Sequence, residues 1–131
     1  MSIDPSHTYV FLAADGSAVQ LPGGEAFWSR PESELHRFGQ GWLVSEFECS
    51  TDWPNWEMHP HAEEFVYLLE GEAIFQLQLE AGLTCVALKG RGAVVVPRGV
   101  WHTAKVSLPS RMLFVTLGSG TQHRPANQDD A

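Results

Sequence analysis

Cysteine is scarce in this chain: Cys49 and Cys85 are the only two in 131 residues, too few for a disulfide framework. Basic residues are scarce as well. There are 8 Lys and Arg against 16 Asp and Glu, and the formal charge of -8 argues against a nucleic-acid partner, whose phosphates need cations. Long hydrophobic runs are missing, so no stretch approaches a membrane span, and the start MSIDPSHTYVFLAADG lacks the basic head and apolar run of a signal peptide. These absences set the expectation of a reduced, cytoplasmic setting with no membrane partner. Phosphate-binding glycine loops, a nucleophile with a base at recognisable spacing, repeats and low-complexity tracts are absent too.

What is there is globular. Hydrophobic residues make up 44% and charged residues 18%, and 131 residues suffice for one domain with a buried core. The polar start Met1 to His7, with Pro5, reads as a loose arm, and Gly118 to Ala131 as an exposed tail whose Thr121 to Arg124 could fold back over a neighbour. A first strand is expected over Thr8 to Ala13. After Pro22-Gly23-Gly24 come one or two short helical turns within Glu25 to Gly39, split by Pro31, with Phe27, Trp28, Leu35 and Phe38 as the buried side.

From Gly41 onward the pattern is β. Trp42 to Cys49 alternates, with Leu43, Ser45 and Phe47 on one face and Trp42, Val44 and Glu46 on the other. Short strands follow over Asn55 to His61, Phe65 to Leu69, Ala73 to Leu79, Leu83 to Leu88, Ala93 to Val96, His102 to Val106 and Met112 to Leu117, punctuated by Gly71, Gly82, Gly90, Gly92, Gly99 and Pro109. So many short strands with Gly and Pro turns predict an all-β sandwich or barrel.

The chemistry concentrates in WEMHPHAEEFVYLLEG, Trp56 to Gly71. If Glu57 to His61 is extended, the period of two places Glu57, His59 and His61 on one face. A Pro-containing break then lets the next strand return antiparallel, with Glu64 presented to that face. A second fragment, PRGVWH from Pro97 to His102, supplies another His after a Pro-x-Gly turn.

Together the two fragments resemble the paired motifs of the cupin superfamily, in the small single-domain, conserved-barrel type. Glu64 to Gly71 matches the E-x6-G portion of the first motif, and Pro97, Gly99 and His102 match the centre of the second. Arg91 stands between Gly90 and Gly92 where a glycine is expected, and Val106 replaces the closing Asn. The resemblance implies a small jelly-roll-like β-barrel, with a short helical segment near the N-terminus, holding one divalent transition metal.

Two registers are open for the ligands. With His59 and His61 as the family's H-x-H, the gap to Glu64 is one residue short. With His59 as the second His, the gap is restored and Glu57 stands where the first His is expected. The second register is preferred, because a gap between strands is harder to shorten than a ligand is to exchange. The implied set is therefore Glu57, His59, Glu64 and His102, with His61 as the alternative ligand. Imidazole with carboxylate favours iron or manganese, with nickel, copper or zinc open. Two carboxylates would make a divalent site formally neutral, less attractive to an anionic chelator.

Trp56 and Trp101 oppose Glu57 and His102 in strand phase and are expected outside the barrel, while Trp53 shares the Glu57 phase if the strand extends that far. Cys49 and Cys85 read as packing residues; Arg98, Arg111, His7 and His123 read as surface. Functionally the resemblance implies a small metal-dependent enzyme of oxygenase, isomerase, decarboxylase or lyase type acting on a small organic molecule. The alternative is a non-catalytic small-molecule-binding or sensor barrel. The apolar strand faces and tryptophans also suggest a homodimer.

Overall fold

The structure is a computed structural model that describes residues 1–127. Eleven strands form two antiparallel sheets among these residues. The first holds β1 (Thr8–Leu12), β2 (Ala18–Pro22), β3 (Trp42–Cys49), β5 (Glu64–Glu70), β8 (Ala93–Val96) and β10 (Ser110–Thr116), in the order β2-β1-β3-β10-β5-β8. The second holds β4 (Asn55–Met58), β6 (Glu72–Leu79), β7 (Gly82–Lys89), β9 (His102–Lys105) and β11 (Gln122–Pro125), in the order β11-β4-β9-β6-β7. Two helical pieces, α1 (Glu25–Trp28) and α2 (Glu32–Phe38), separate β2 from β3. Pro31 stands just before α2, where its missing N–H costs no helical hydrogen bond.

Alternation on the strands builds the interior. Val66 and Leu68 of β5, Phe75 and Leu77 of β6, Ala104 of β9 and Met112 and Phe114 of β10 are buried together between the sheets. A second cluster, Tyr9, Phe11, Phe27, Phe38 and Leu43, joins β1, β3 and the helices. The β5–β6 corner depends on Gly71. Its φ is 96°, and a Cβ there would meet Pro109 O at 2.6 Å and also collide with Ser110. Ser110 fills the corner instead, accepting from the Glu72 N–H at 3.1 Å.

Several expectations change. Trp28 is not part of the buried side of its helix: it is 49% exposed, while Phe27 and Phe38 are buried. Cys85 lies in the exposed first half of edge strand β7, and Cys49 is half-buried. In the stretch read as an arm, residues 4–7 form a turn, tied down by a hydrogen bond from the Glu46 N–H to Pro5 O at 3.1 Å. In the stretch read as a tail, Gln122–Pro125 form β11 and pair with β4, because β4 would otherwise leave one row of backbone groups unpaired. Residues 128–131 lie outside the described residues.

The partner for the outward tryptophans is β11. Arg124 lies 5.6 Å from the Trp56 ring and 4.7 Å from the Trp101 ring, and donates to Gln78 Oε1 at 2.6 Å. Trp56 is wholly buried as a result.

Candidate metal centre

Three short stretches meet inside the barrel. His59 follows β4, Glu64 opens β5 and His102 opens β9. The turn between Pro97 and His102 is locked to the first stretch, since the Gly99 N–H donates to His59 O at 2.9 Å, with Gly99 at φ 75°. The two sequence fragments are therefore joined by backbone.

Glu64 sits between the two imidazoles. Its Oε2 is 3.4 Å from His59 Nε2 and its Oε1 is 3.3 Å from His102 Nε2. All three residues are buried, His102 completely. One donor atom from each lies within 4.8 Å of the others.

Each side chain is oriented from behind. The Thr121 hydroxyl donates to Gly118 O at 2.7 Å, so its contact with His59 Nδ1 at 2.8 Å is one in which the ring N–H donates. His102 Nδ1 likewise donates to Val100 O at 3.0 Å. Thr116 donates to Glu64 Oε2 at 2.5 Å. Both rings thus carry a proton on Nδ1 and direct Nε2 at the carboxylate. His59 Nε2, His102 Nε2 and Glu64 Oε1 are all buried without a hydrogen-bond partner. None of the three makes a hydrogen bond of good geometry, and in the metal-free chain only a proton held between an imidazole and Glu64 relieves them; a cation satisfies all three. The residues therefore fit a metal ion.

The electrostatics agree. Burial pushes Glu64 up, but the neighbouring His102 and His59 outweigh it and hold the carboxyl at about 2. Burial pulls His102 down, and the Glu64 carboxylate outweighs that effect and raises it.

Glu57 is close but turned elsewhere. It is the register partner of His102 on one side and of His123 on the other. Its Oε1 lies 3.2 Å from His123 Nε2. His123, read from the sequence as a surface residue, is thus part of the surroundings of the centre. The signal was Thr121 to Arg124 as a segment able to fold back. His61 is exposed, packed against Gly120, and outside the cluster. Arg111 is occupied by Glu46, Glu48 and Glu70.

The centre opens into a cavity of about 580 Å³. Phe27, Trp28, Phe38, Phe47, Trp53 and Phe114 form its apolar walls, and Glu57, His59, Glu64, Thr116, Thr121 and His123 its polar end. This volume falls in the range of small-molecule sites, ~300–1,000 Å³.

Solved structures with this architecture include hydroquinone 1,2-dioxygenase from Sphingomonas sp. TTNP3 with 4-hydroxybenzoate bound. It is 15% identical, with a TM-score of 0.51 over 65% of this chain and 60% of that one. Recombinant oxalate oxidase in complex with glycolate is 18% identical, with a TM-score of 0.51 over 63% of this chain and 44% of that one. The fold is a cupin fold. Peruvianin-I, a cysteine peptidase from Thevetia peruviana latex, also superposes, at 15% identity and a TM-score of 0.56 over 66% and 58% of the two chains. The matched part spans less than two thirds of each of these structures. At such identities the likeness carries the cupin barrel and not the reaction, as an oxidase and a peptidase on one fold illustrate. No family model matches the sequence, and no curated protein matches it.

Proposed function

We propose that this cupin is a metal-dependent enzyme acting on a small organic molecule, with the ion held by His59, Glu64 and His102. The observation that supports it most is the buried His59, Glu64 and His102 trio with atoms lacking hydrogen-bond partners, of which His59 and Glu64 line a cavity of small-molecule size. Glu57, beside His102 in register, is the fourth ligand once its carboxylate leaves His123. His61 has no place in this set.

Two imidazoles and a carboxylate with open positions suit iron, and manganese after it. A tetrahedral zinc would keep a position open only while Glu57 stays on His123, since all four ligands would fill it. A bound ion supplies Lewis acidity toward an oxygen of the substrate. The chain's own residues do the rest. Thr121 and Val100 fix the imidazole tautomers, and Thr116 fixes the Glu64 oxygen. The aromatic walls exclude water from the polar end, and Glu57 with His123 places a carboxylate and an imidazole beside any group that enters. Oxygenase, isomerase, decarboxylase and lyase reactions all fit these roles. The two free cysteines, Cys49 and Cys85, accord with a cytoplasmic setting.

A second copy of the chain is the partner this reading assigns to the outer face of the six-stranded sheet. There Leu12 lies opposite Trp42, Phe65 opposite Val95, and Val115 opposite both Val44 and Phe65, in one apolar band. Leu12, Trp42, Phe65 and Val95 are exposed.

The test is a turnover screen under oxygen with metal-loaded and chelator-treated protein. Activity that chelation removes and metal restores supports the enzyme reading. Ligand binding without turnover in every reaction class supports the binding-module alternative.

A further inference from the structure

We propose that the cavity takes an uncharged, predominantly aromatic molecule with one polar group turned toward His59 and Glu64, and discriminates against carboxylates of the same shape. This deepens the preceding reading and rests on it for the role of the polar end.

The walls carry the first half of the inference. Ring contacts run without interruption from Phe38 to Phe27 (5.8 Å), Phe27 to Trp28 (4.8 Å), Trp28 to Phe47 (6.3 Å), Phe47 to Phe114 (5.4 Å) and Phe114 to Trp53 (5.9 Å). Trp28 and Phe47 present apolar surface to solvent although they belong to this wall. Such a wall gains by covering its surface with a flat apolar ligand, and aromatic pairs add to that gain.

Charge carries the second half. Among the described residues the lining contains Glu48, Glu57, Glu64, His59 and His123, and no Lys or Arg. Arg30, which packs on the Phe27 and Phe38 rings, is ion-paired with Glu34 and lies outside the lining. A divalent ion at the centre has its charge offset by Glu64 and Glu57. An entering anion would therefore lose its hydration with no net positive charge to replace it. An uncharged molecule meets no such cost, and its one hydroxyl or carbonyl has Glu57, His123 and the metal position to address.

The test uses 2-naphthol and 2-naphthoate, alike in ring system and differing in charge, titrated calorimetrically into metal-loaded and metal-stripped protein. The expected result is tighter binding of 2-naphthol by about tenfold or more in both forms. Phe47→Lys, which puts a cation on the wall, should narrow or reverse that preference, while Phe47→Met should keep it; circular dichroism confirms that both fold. Equal or tighter binding of 2-naphthoate to the wild type, or no binding of either probe, overturns the proposal. The preference is read in stripped protein as well, so a chain that binds no metal but prefers 2-naphthol refutes the metal assignment alone. A chain that binds metal but prefers 2-naphthoate refutes the substrate class alone.

Discussion

Glu57 lies between two histidines, opposite His102 on β9 and opposite His123 on β11, and its carboxylate meets His123 Nε2 at 3.2 Å. One carboxylate thus has two possible imidazole-side partners, the His123 ring and a metal held beside His102. His123→Ala removes the competitor and should tighten metal binding a few-fold, whereas Glu57→Ala should weaken it about tenfold or more. His61→Ala should leave it unchanged. Competition titration with a chromophoric chelator measures all three. A silent Glu57→Ala beside a damaging His61→Ala would place the ligands in the short-gap register instead.

The hydroxyls behind the ligands give a second prediction. Thr121→Val removes the acceptor of the His59 ring N–H, and Thr116→Val removes the donor to Glu64. Each should lower metal affinity about 10- to 100-fold, as loss of an orienting partner does elsewhere. Thermal melts of the metal-free variants should stay close to the wild type. A large loss of stability without loss of affinity would make these hydroxyls structural only.

Protons compete with the metal for the same lone pair. His102 is raised by Glu64 in the metal-free protein, so its proton is held more tightly than in the unfolded chain. Its contribution to stability is therefore fully present below the unfolded value, near 6.5, and is lost as pH rises through the raised one. Glu64, held at about 2, contributes above the ordinary carboxylate value and loses that contribution as pH falls toward 2. Metal affinity should accordingly fall by about tenfold per pH unit for each proton displaced once the pH is below the His102 value. Calorimetry across acidic and neutral pH checks this; an affinity independent of pH speaks against imidazole ligation.

The band from Leu12 and Trp42 to Phe65 and Val95 predicts a particle of twice the chain mass in light scattering at micromolar concentration. Val95→Glu, on the edge strand, should yield a monomer with an unchanged circular dichroism spectrum. A monomeric wild type contradicts the assignment.

Strands whose two faces differ were legible in the sequence. The alternation of β3 puts Leu43, Ser45 and Phe47 on one face, of which Leu43 and Ser45 are buried while Phe47 is exposed, and the Pro-x-Gly turn announces the strand that begins at His102. The two strands that the sequence does not announce, β2 and β11, lie at sheet edges. β2 does alternate, with Val19 and Leu21 half-buried against the second cluster, but the pattern runs for only five residues before it ends on Pro22; the residues of β11 are all exposed and carry no buried face that would show as periodicity. Their pairing is decided by the neighbours, β1 and β4. The place of His123 was hidden for the same reason. The helical wall shows the converse: Trp28 is apolar and reads as inward, yet it is half exposed and borders the cavity, because residue type alone does not separate packing surface from binding surface.

Whether His59, Glu64 and His102 hold one ion is decided by elemental analysis of the wild type beside His102→Ala. The wild type should hold one transition-metal ion per chain after loading and dialysis, and His102→Ala should retain none while its circular dichroism stays that of the folded barrel. A wild type that takes up no metal, a variant that keeps it, or a variant that unfolds and so shows His102 to be a structural residue would contradict a metal centre at these three residues.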